Sequence, residues 1–293
     1  MFYNLYCHSV KTNIPLDGLG LKQTQKQASI PIYLEFINHD PDGYDEYLNH
    51  QTQVDNDYGY YFIENIAFFE IFSGERIKIN YFNKIDDDLL HSLLNYPFAI
   101  LFNQRSKFVI HASSVVFKDK VFCFCGKTQS GKSSLASHLI KEGGSLISED
   151  TCVFDFEDSI PKILPSYNFI KISDEVNEYK DFPFFNPILF QNKSSDRKGY
   201  ILDSHKFYSK RANVDYFVYL EWSEKESDLS KLDNTSSLKM LLSNEFTSFS
   251  KNDASLRFRL ATQLVNQCVH LSFKRKKQLE TLDHFIKIFL KEI

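Results

Sequence analysis

One eight-residue segment carries most of the chemistry that this sequence can be expected to perform. Residues Gly126 to Ser133 match the pattern Gly-x4-Gly-Lys-Ser without deviation. Glycines let the backbone turn so that several N–H groups point to one place, and a helix that begins near Lys132 directs the positive end of its dipole to the same place. Lys132 adds a full charge for the β- and γ-phosphates, and the Ser133 hydroxyl can bind Mg²⁺. The segment therefore predicts a phosphate-binding loop for a nucleotide.

The elements on either side of the loop fit this prediction. An apolar, strand-like run from Val121 to Cys125 leads into it, and Leu135, Ala136, Leu139 and Ile140 follow it at helical spacing. We therefore expect the nucleotide to contact the loop and the adjoining first turn of the helix, namely Gly126, Lys127, Thr128, Gln129, Ser130, Gly131, Lys132, Ser133 and Ser134.

A pair of acidic residues, Glu149 and Asp150, follows the loop. The pair ends a short predicted strand, Ser145 to Ser148, and Asp150 lies 18 residues after Lys132. Because ligands in α/β sheets gather at strand ends, a carboxylate here can bind Mg²⁺ or accept a proton from an attacking hydroxyl. An ordinary P-loop ATPase has a second motif, a later run of four apolar residues that ends in an acidic residue. This sequence has no convincing copy of that motif.

Composition and charge narrow the class of protein. The chain has 293 residues, 43% of them hydrophobic and 25% charged, with a net charge of −4. A nucleic-acid-binding protein usually carries a basic surplus, so that class is not expected. The densest basic run, Lys274 to Lys277, is interpreted as the solvated start of a C-terminal helix, with a phosphate-binding patch as the alternative.

Cysteine usage and hydropathy predict a cytoplasmic protein. The five cysteines include no Cys-x-x-Cys pair, which fits a reducing compartment. Cys123 and Cys125 should share one face of a strand as buried apolar side chains, with a metal pair as the alternative. There is no signal-peptide pattern and no apolar run long enough to span a bilayer, so no membrane association is expected.

Two regions differ in their patterns. The first ninety-odd residues predict short strands, including 30–37 and a hairpin at 67–79, and then a helix from Asp86 to Leu94. The remainder predicts a hairpin at 115–125, a strand at 216–220, and helices at 256–265 and 278–290 with a strand between them. Two segments are predicted as loops, an ordered one at 182–190 and a flexible one at 191–199.

Several motifs in order resemble one family. The run from His111 to Phe122, the loop, and Gly144 to Asp150 together resemble the catalytic domain of HPr kinase/phosphorylase, and are most similar to the HPr-kinase-like proteins that include lasso-peptide tailoring kinases. Gln104-Arg105 and the segment Leu164 to Glu175 resemble further elements of the family. The resemblance covers roughly residues 96 to 290.

The resemblance implies a fold and a set of roles. The fold would be α/β: a phosphoenolpyruvate-carboxykinase-like P-loop domain with a mixed sheet over 96–293, preceded by a smaller β-rich α+β domain over 1–95. The family's catalytic histidine falls on His111 and its proton-accepting aspartate on Asp150. Lys132 and Ser133 take the phosphate and Mg²⁺ roles, and Glu149, where the family commonly has Asp, would be a metal or water ligand. A family arginine falls on either Arg197 or Arg211.

The function implied is an ATP- and Mg²⁺-dependent kinase that phosphorylates a serine or threonine hydroxyl of a peptide or small protein. Residues 1–95 would recognise this acceptor or assemble subunits, and a homo-oligomer would be in keeping with the family. Two alternatives stay open: a kinase for a small-molecule or sugar hydroxyl, and a module that senses ATP without transferring phosphate.

Overall fold

The computed structural model describes residues 1–25, 31–40, 43–48, 51–156, 160–176, 185–191, 197–246 and 254–292. The strands, in chain order, are β1 Phe2–Leu5, β2 His8–Thr12, β3 Ile32–Asn38, β4 Thr52–Val54, β5 Tyr58–Ile63, β6 Ala67–Phe72, β7 Arg76–Tyr81, β8 Phe108–His111, β9 Ser113–Phe117, β10 Lys120–Cys125, β11 Ser145–Ser148, β12 Thr151–Asp155, β13 Lys162–Ile163, β14 Phe169–Ser173, β15 Phe185–Gln191, β16 Arg197–Leu202, β17 Ala212–Asn213, β18 Tyr216–Trp222, β19 Asp228–Lys231 and β20 Val269–Arg275. The helices are α1 Asp87–Leu93, α2 Tyr96–Gln104, α3 Lys132–Lys141, α4 Asn234–Ser243, α5 Ala254–Gln267 and α6 Leu282–Glu292. Within these residues, no helix has the length and apolar character that a bilayer span requires.

The first sheet has the order β1-β2-β3-β7-β6-β5-β4. Its β6–β7 hairpin confirms the predicted one, and Ser73 and Gly74 at the turn have φ values of 50° and 67°. Both are left-handed, and the Glu75 N–H donates to the Phe72 carbonyl oxygen at 2.9 Å, which closes the turn. Gly74 also lacks room for a side chain, because a Cβ there would lie 2.7 Å from the Arg105 side chain.

Helix α2 is the central element of the first core. Every residue from Pro97 to Phe102 is buried, and the helix packs against β5, β6 and β8. A helix that is buried on all sides has no polar stripe, so the sequence showed only an apolar run here. The same core includes Ile79 of the first sheet and Val153 of β12. One core thus contains residues from both sides of the predicted domain boundary at 95/96. The structure does not separate two domains there, and the boundary stays a prediction.

The second sheet has the order β11-β9-β10-β18-β20-β19 and is mixed, because β10, β18 and β20 are parallel while β9 and β10 are antiparallel. Phe122 and Phe124 of β10 face α6, where both rings meet Phe285 edge-on. Cys123 and Cys125 face the opposite core and are fully buried, as predicted. Burial on both faces suits the continuous apolar run that leads into the loop.

The acidic pair connects two sheets. Strand β11 belongs to the second sheet, whereas β12 belongs to a third sheet of order β17-β13-β12-β8. Glu149 and Asp150 are the two residues between them. Antiparallel pairing of β12 with β8 sets Thr151 opposite His111, so the histidine lies beside the acidic pair.

A fourth sheet, β14-β16-β15, corrects both loop predictions. In the described residues, the predicted loop at 182–190 contains strand β15, and the last residues of the loop at 191–199 begin strand β16. Pro187 argued against a strand, but β15 is an edge strand whose pairing shifts register between Asn186 and Phe190, where a proline is tolerated. Residues 182–184 and 192–196 lie outside the described residues. The prediction of a mixed α/β fold is confirmed.

Candidate active site

The phosphate-binding loop joins β10 to α3 through two positive-φ glycines, Gly126 at 144° and Gly131 at 90°. A Cβ on Gly126 would lie 2.6 Å from Ser130 Oγ and 2.8 Å from the carbonyl oxygen of Leu220. The turn is therefore too tight for a side chain at this position. The Gly126 N–H donates to Asn244 Oδ1 at 2.8 Å, which ties the start of the loop to the end of α4.

The Lys132 side chain hydrogen-bonds to the backbone of the phosphate-binding loop itself. Its Nζ donates to the carbonyl oxygens of Gly126 at 2.9 Å and Lys127 at 3.2 Å. Burial lowers the pKa of Lys132 from 10.5 to about 8, because desolvation disfavours the ammonium. Gly131 caps α3 without a side-chain acceptor, so the helix N-terminus has no anionic group of its own. Both features favour a bound anion.

Ser133 and Glu149 lie together beneath the loop. The Ser133 hydroxyl donates to Glu149 Oε1 at 2.6 Å, and Glu149 is fully buried. Tyr167 holds the glutamate in place by donating its hydroxyl to the Glu149 carbonyl oxygen at 2.8 Å. Within the residues that the structure describes, Glu149 Oε2 has no hydrogen-bond partner. A buried, unpaired carboxylate oxygen beside a hydroxyl fits a divalent cation that prefers oxygen ligands.

The described residues contain no group of three or more His, Cys, Asp and Glu that could hold a metal. Mg²⁺ does not need one, since it usually keeps several waters and takes one or two carboxylates together with phosphate oxygens. Ser133 and Glu149 fit the number and kind of protein ligands that such an ion takes.

Asp150 has a left-handed backbone, with φ of 60°, and forms an ion pair with Lys171 through its Oδ2. Lys171 Nζ also lies 2.6 Å from Nε2 of His91, on helix α1. Burial lowers the pKa of Lys171 to about 7 and lowers the pKa of His91 as well. A buried chain of contacts thus links the first ninety-five residues to the acidic pair.

His111 ends strand β8 beside these groups. Its backbone N–H donates to the Asn244 carbonyl oxygen at 2.8 Å, and its ring meets the Phe246 ring edge-on at 5.5 Å. Burial lowers the pKa of His111 from 6.5 to about 3, with further lowering by the charges of Lys132 and Lys171. The imidazole is therefore neutral near pH 7 and can donate its ring N–H to a phosphate oxygen.

The loop separates two clefts. The Asp150 cleft, of about 760 Å³, is lined by Tyr61, Ser92, Asn95, Tyr96, His111, Gly126, Lys127, Thr128, Asp150, Ser243, Asn244, Glu245 and Phe246. The Trp222 cleft, of about 540 Å³, is lined by His91, Thr128, Gln129, Gly131, Ser133, Ser134, Lys171, Ile172, Ser173, Glu175, Val176, Arg197, Trp222, Arg275, Lys277, Gln278 and Leu279. Thr128 borders both, so the two clefts meet at the loop.

The structure places the two candidate arginines, Arg197 and Arg211, in different surroundings. Arg197 lines the Trp222 cleft, whereas Arg211 donates to Asp155 Oδ2 at 2.9 Å. The interpretation of Lys274 to Lys277 as a solvated helix start is wrong for Arg275, which ends strand β20 and is buried against the loop. Arg275 is buried because β20 pairs with β18 and this pairing places Arg275 opposite Trp222.

The predicted site residues thus meet in one region: the loop, Ser134, His111, Glu149 and Asp150. Their chemical roles stay predictions. Sequence reasoning assigned no role to His91, Lys171 or Arg275. A signal existed for Lys171, because it interrupts the otherwise apolar run Phe169 to Ile172 in a strand.

Comparisons with known proteins add little to this geometry. No protein-family model matches the chain, and no curated protein matches it. Among solved structures, the chain is similar to the HPr(Ser) kinase/phosphatase from Coxiella burnetii, with 12% sequence identity and a TM-score of 0.32. The match covers 63% of this chain and 93% of the other, which amounts to a distant structural relationship.

Proposed function

We propose that this protein is an ATP-dependent kinase that transfers the γ-phosphoryl group to a serine or threonine hydroxyl of a peptide or small protein. One observation carries the proposal: the phosphate-binding loop lies between two clefts, with Asp150 in one and the first turn of α3 in the other. A phosphotransferase needs this arrangement, because donor and acceptor approach the same phosphorus atom from opposite sides.

The orientation of the nucleotide follows from Lys132. In a loop of this pattern the lysine contacts the β- and γ-phosphates. Lys132 Nζ lies at the carbonyl groups of Gly126 and Lys127, which line the Asp150 cleft. The γ-phosphate therefore faces Asp150, and the nucleoside extends past Ser134 into the Trp222 cleft.

Charge stabilisation comes from the loop. Lys132 and the N–H groups at the start of α3 stabilise the negative charge that spreads over the transferring phosphoryl group. Ser133 and Glu149 would hold Mg²⁺, which when bound neutralises charge on the β- and γ-phosphates. His111, neutral near pH 7, hydrogen-bonds a γ-phosphate oxygen.

Asp150 is the proton acceptor in this mechanism. The acceptor hydroxyl gives its proton to the Asp150 carboxylate while its oxygen bonds to the γ-phosphorus. The bond from that phosphorus to the β–γ bridging oxygen breaks, and ADP leaves with the electron pair. The ion pair with Lys171 orients the carboxylate for this step.

The N-terminal residues contribute to acceptor recognition. Tyr61 and Tyr96 stack at 4.8 Å, and Phe246 meets Tyr96 edge-on at 4.9 Å, which forms an aromatic wall along the Asp150 cleft. Such a wall suits the side chains that flank a serine or threonine in a peptide, and the nearby Asn95 amide can pair with a peptide group. Tyr61 and Asn95 belong to residues 1–95, which supports a recognition role for this region in the proposal. The proposal keeps 96–293 as the phosphoenolpyruvate-carboxykinase-like P-loop domain that the sequence resemblance implies.

The test is a transfer assay beside a binding assay. The protein is incubated with Mg²⁺ and γ-³²P-labelled ATP, and either a library of peptides that contain serine and threonine or a set of sugars. The proposal expects label on a peptide hydroxyl, and expects the Lys132→Ala variant to lose this transfer. Calorimetry measures ATP binding separately.

The alternatives give different outcomes. Label on a sugar alone would identify a small-molecule kinase and contradict the peptide assignment. ATP binding without transfer to any acceptor would identify a sensing module and contradict the kinase proposal as a whole.

A further inference from the structure

Arg275 is a buried cation that has no anionic partner in the described part of the chain. It is 2% exposed, and among the described residues no carboxylate forms an ion pair with it. Its Nη1 donates to Thr281 Oγ1 at 2.9 Å and to the Gln278 carbonyl oxygen at 3.2 Å, but its Nε has no hydrogen-bond partner. A buried guanidinium is costly unless an anion compensates it, so the surroundings favour an anionic ligand.

The position of Arg275 identifies which part of a ligand it can reach. Its Nη2 lies so close to Gly131 that a Cβ on this glycine would collide with the guanidinium. Gly131 is the N-cap of α3, and with Ser134 it lines the Trp222 cleft. This is the end of the loop away from Asp150, where the proposed orientation puts the α-phosphate.

Trp222 lies beside Arg275 and keeps an exposed surface. The two residues are partners in the parallel pairing of β18 with β20, and the guanidinium lies over the indole ring at 4.4 Å. Trp222 is nevertheless 39% exposed, in a cleft that also has the apolar side chains of Val176 and Leu279. An exposed indole next to a phosphate site is suited to stacking on a nucleobase.

We infer that Arg275 and Trp222 form the nucleoside half of the site: Arg275 binds the α-phosphate of a nucleoside triphosphate, and the base stacks on the exposed surface of Trp222. The inference rests on the proposed function for the direction in which the nucleotide lies. It makes Trp222 a specificity residue that distinguishes a nucleotide from inorganic polyphosphate.

The chain contains one tryptophan, so fluorescence that is excited selectively at tryptophan reports this site alone. The protein is titrated with ATP and with inorganic tripolyphosphate, each with Mg²⁺ and without any acceptor. ATP should change Trp222 emission more than tripolyphosphate does, because tripolyphosphate can reach Arg275 but has no base to stack on the indole. Equal changes with both ligands would overturn the stacking assignment.

Variants measured by calorimetry give the second arm. Trp222→Leu should weaken ATP binding about tenfold or more, the usual effect of losing one base–aromatic stack, and leave tripolyphosphate binding unchanged. Arg275→Lys keeps a charge but loses the planar fork, so it should weaken ATP binding while Trp222 still responds to saturating ATP. Phe258→Leu is the matched control, because Phe258 is 55% exposed and lines neither cleft.

The inference would be overturned if Trp222→Leu weakened the binding of ATP and of tripolyphosphate equally. It would also be overturned if neither Trp222→Leu nor Arg275→Lys changed the affinity for ATP. These measurements need no phosphate transfer, so their outcome can be told apart from the outcome of the kinase assay. If Trp222 discriminates the two ligands but no acceptor is labelled, the kinase proposal fails and this inference stands.

Discussion

Replacement of Asp150 by asparagine should separate turnover from nucleotide binding. Asparagine has nearly the same shape and tolerates the left-handed backbone, with φ of 60°, that Asp150 adopts. It cannot accept the proton of the acceptor hydroxyl, so kcat should fall by about 10²- to 10⁴-fold. This corresponds to about 3 to 5 kcal/mol in the activation free energy. ATP affinity should hold, because Asp150 lines the acceptor cleft and does not line the Trp222 cleft.

The same change removes the carboxylate that forms an ion pair with Lys171, and Lys171 is buried. Loss of one member of a buried ion pair typically costs about 3 to 5 kcal/mol of stability. The cost should be smaller here at pH 8, because the pKa of Lys171 is about 7 and its neutral form needs no counter-ion. Thermal unfolding at pH 8 should therefore still show a folded variant.

Asp155→Asn is the matched control. Asp155 is also buried and accepts hydrogen bonds from Lys107 at 2.6 Å and Arg211 at 2.9 Å, but it lines neither cleft. The Asp155→Asn variant should be less stable than the parent protein but should keep the parent kcat. The assay is labelled phosphate transfer to the peptide that the library selects, with ATP binding followed by calorimetry. If Asp150→Asn transferred phosphate at the parent rate, or Asp155→Asn lost as much kcat, the assignment of the base would be refuted.

Three further changes test other parts of the account. Lys132→Ala removes a charged donor to the phosphates and should cost about 1.5 to 3 kcal/mol in ATP binding by calorimetry; unchanged affinity would contradict the loop assignment. Glu149→Gln should raise the Mg²⁺ concentration needed for half-maximal transfer by roughly tenfold or more, and an unchanged requirement would exclude Glu149 as a ligand. His270 is buried, and desolvation lowers its pKa from 6.5 to about 4. The unfolded chain therefore protonates this histidine at a higher pH than the folded chain does, so the free energy of unfolding should fall as the pH drops from about 6.5 to 4. The loss should reach about 3 kcal/mol, and urea unfolding of His270→Gln should lack this dependence; an equal loss in the variant would assign it to other groups.

The loop and its flanking elements could be predicted because their signals are local. The pattern Gly126 to Ser133 is contiguous, and the strand before it and the helix after it follow from the spacing of neighbouring apolar residues. The Glu149–Asp150 pair was predicted from its place after a strand. Its nearness to Ser133 depends on folding, and the 2.6 Å contact between Ser133 and Glu149 agrees with the prediction of a carboxylate at the loop.

The remaining parts of the site could not be predicted, because they depend on long-range pairing. His91 on α1 and Lys171 on β14 are 80 residues apart, and they meet only because the folded chain brings them together. Arg275 lies in a basic run whose composition favours solvent, and the register of β20 against β18 decides that it is buried. Helix α2 was missed for a related reason, since burial on all sides removes the polar face that marks a helix in a sequence.

The most direct test of the central claim is a crystal structure with Mg²⁺ and a non-hydrolysable ATP analogue. The account predicts the base against Trp222 and the γ-phosphorus within about 6 Å of an Asp150 carboxylate oxygen, the sum of one hydrogen bond and one near-attack distance. A nucleoside bound in the Asp150 cleft, or a γ-phosphate directed away from Asp150, would contradict it.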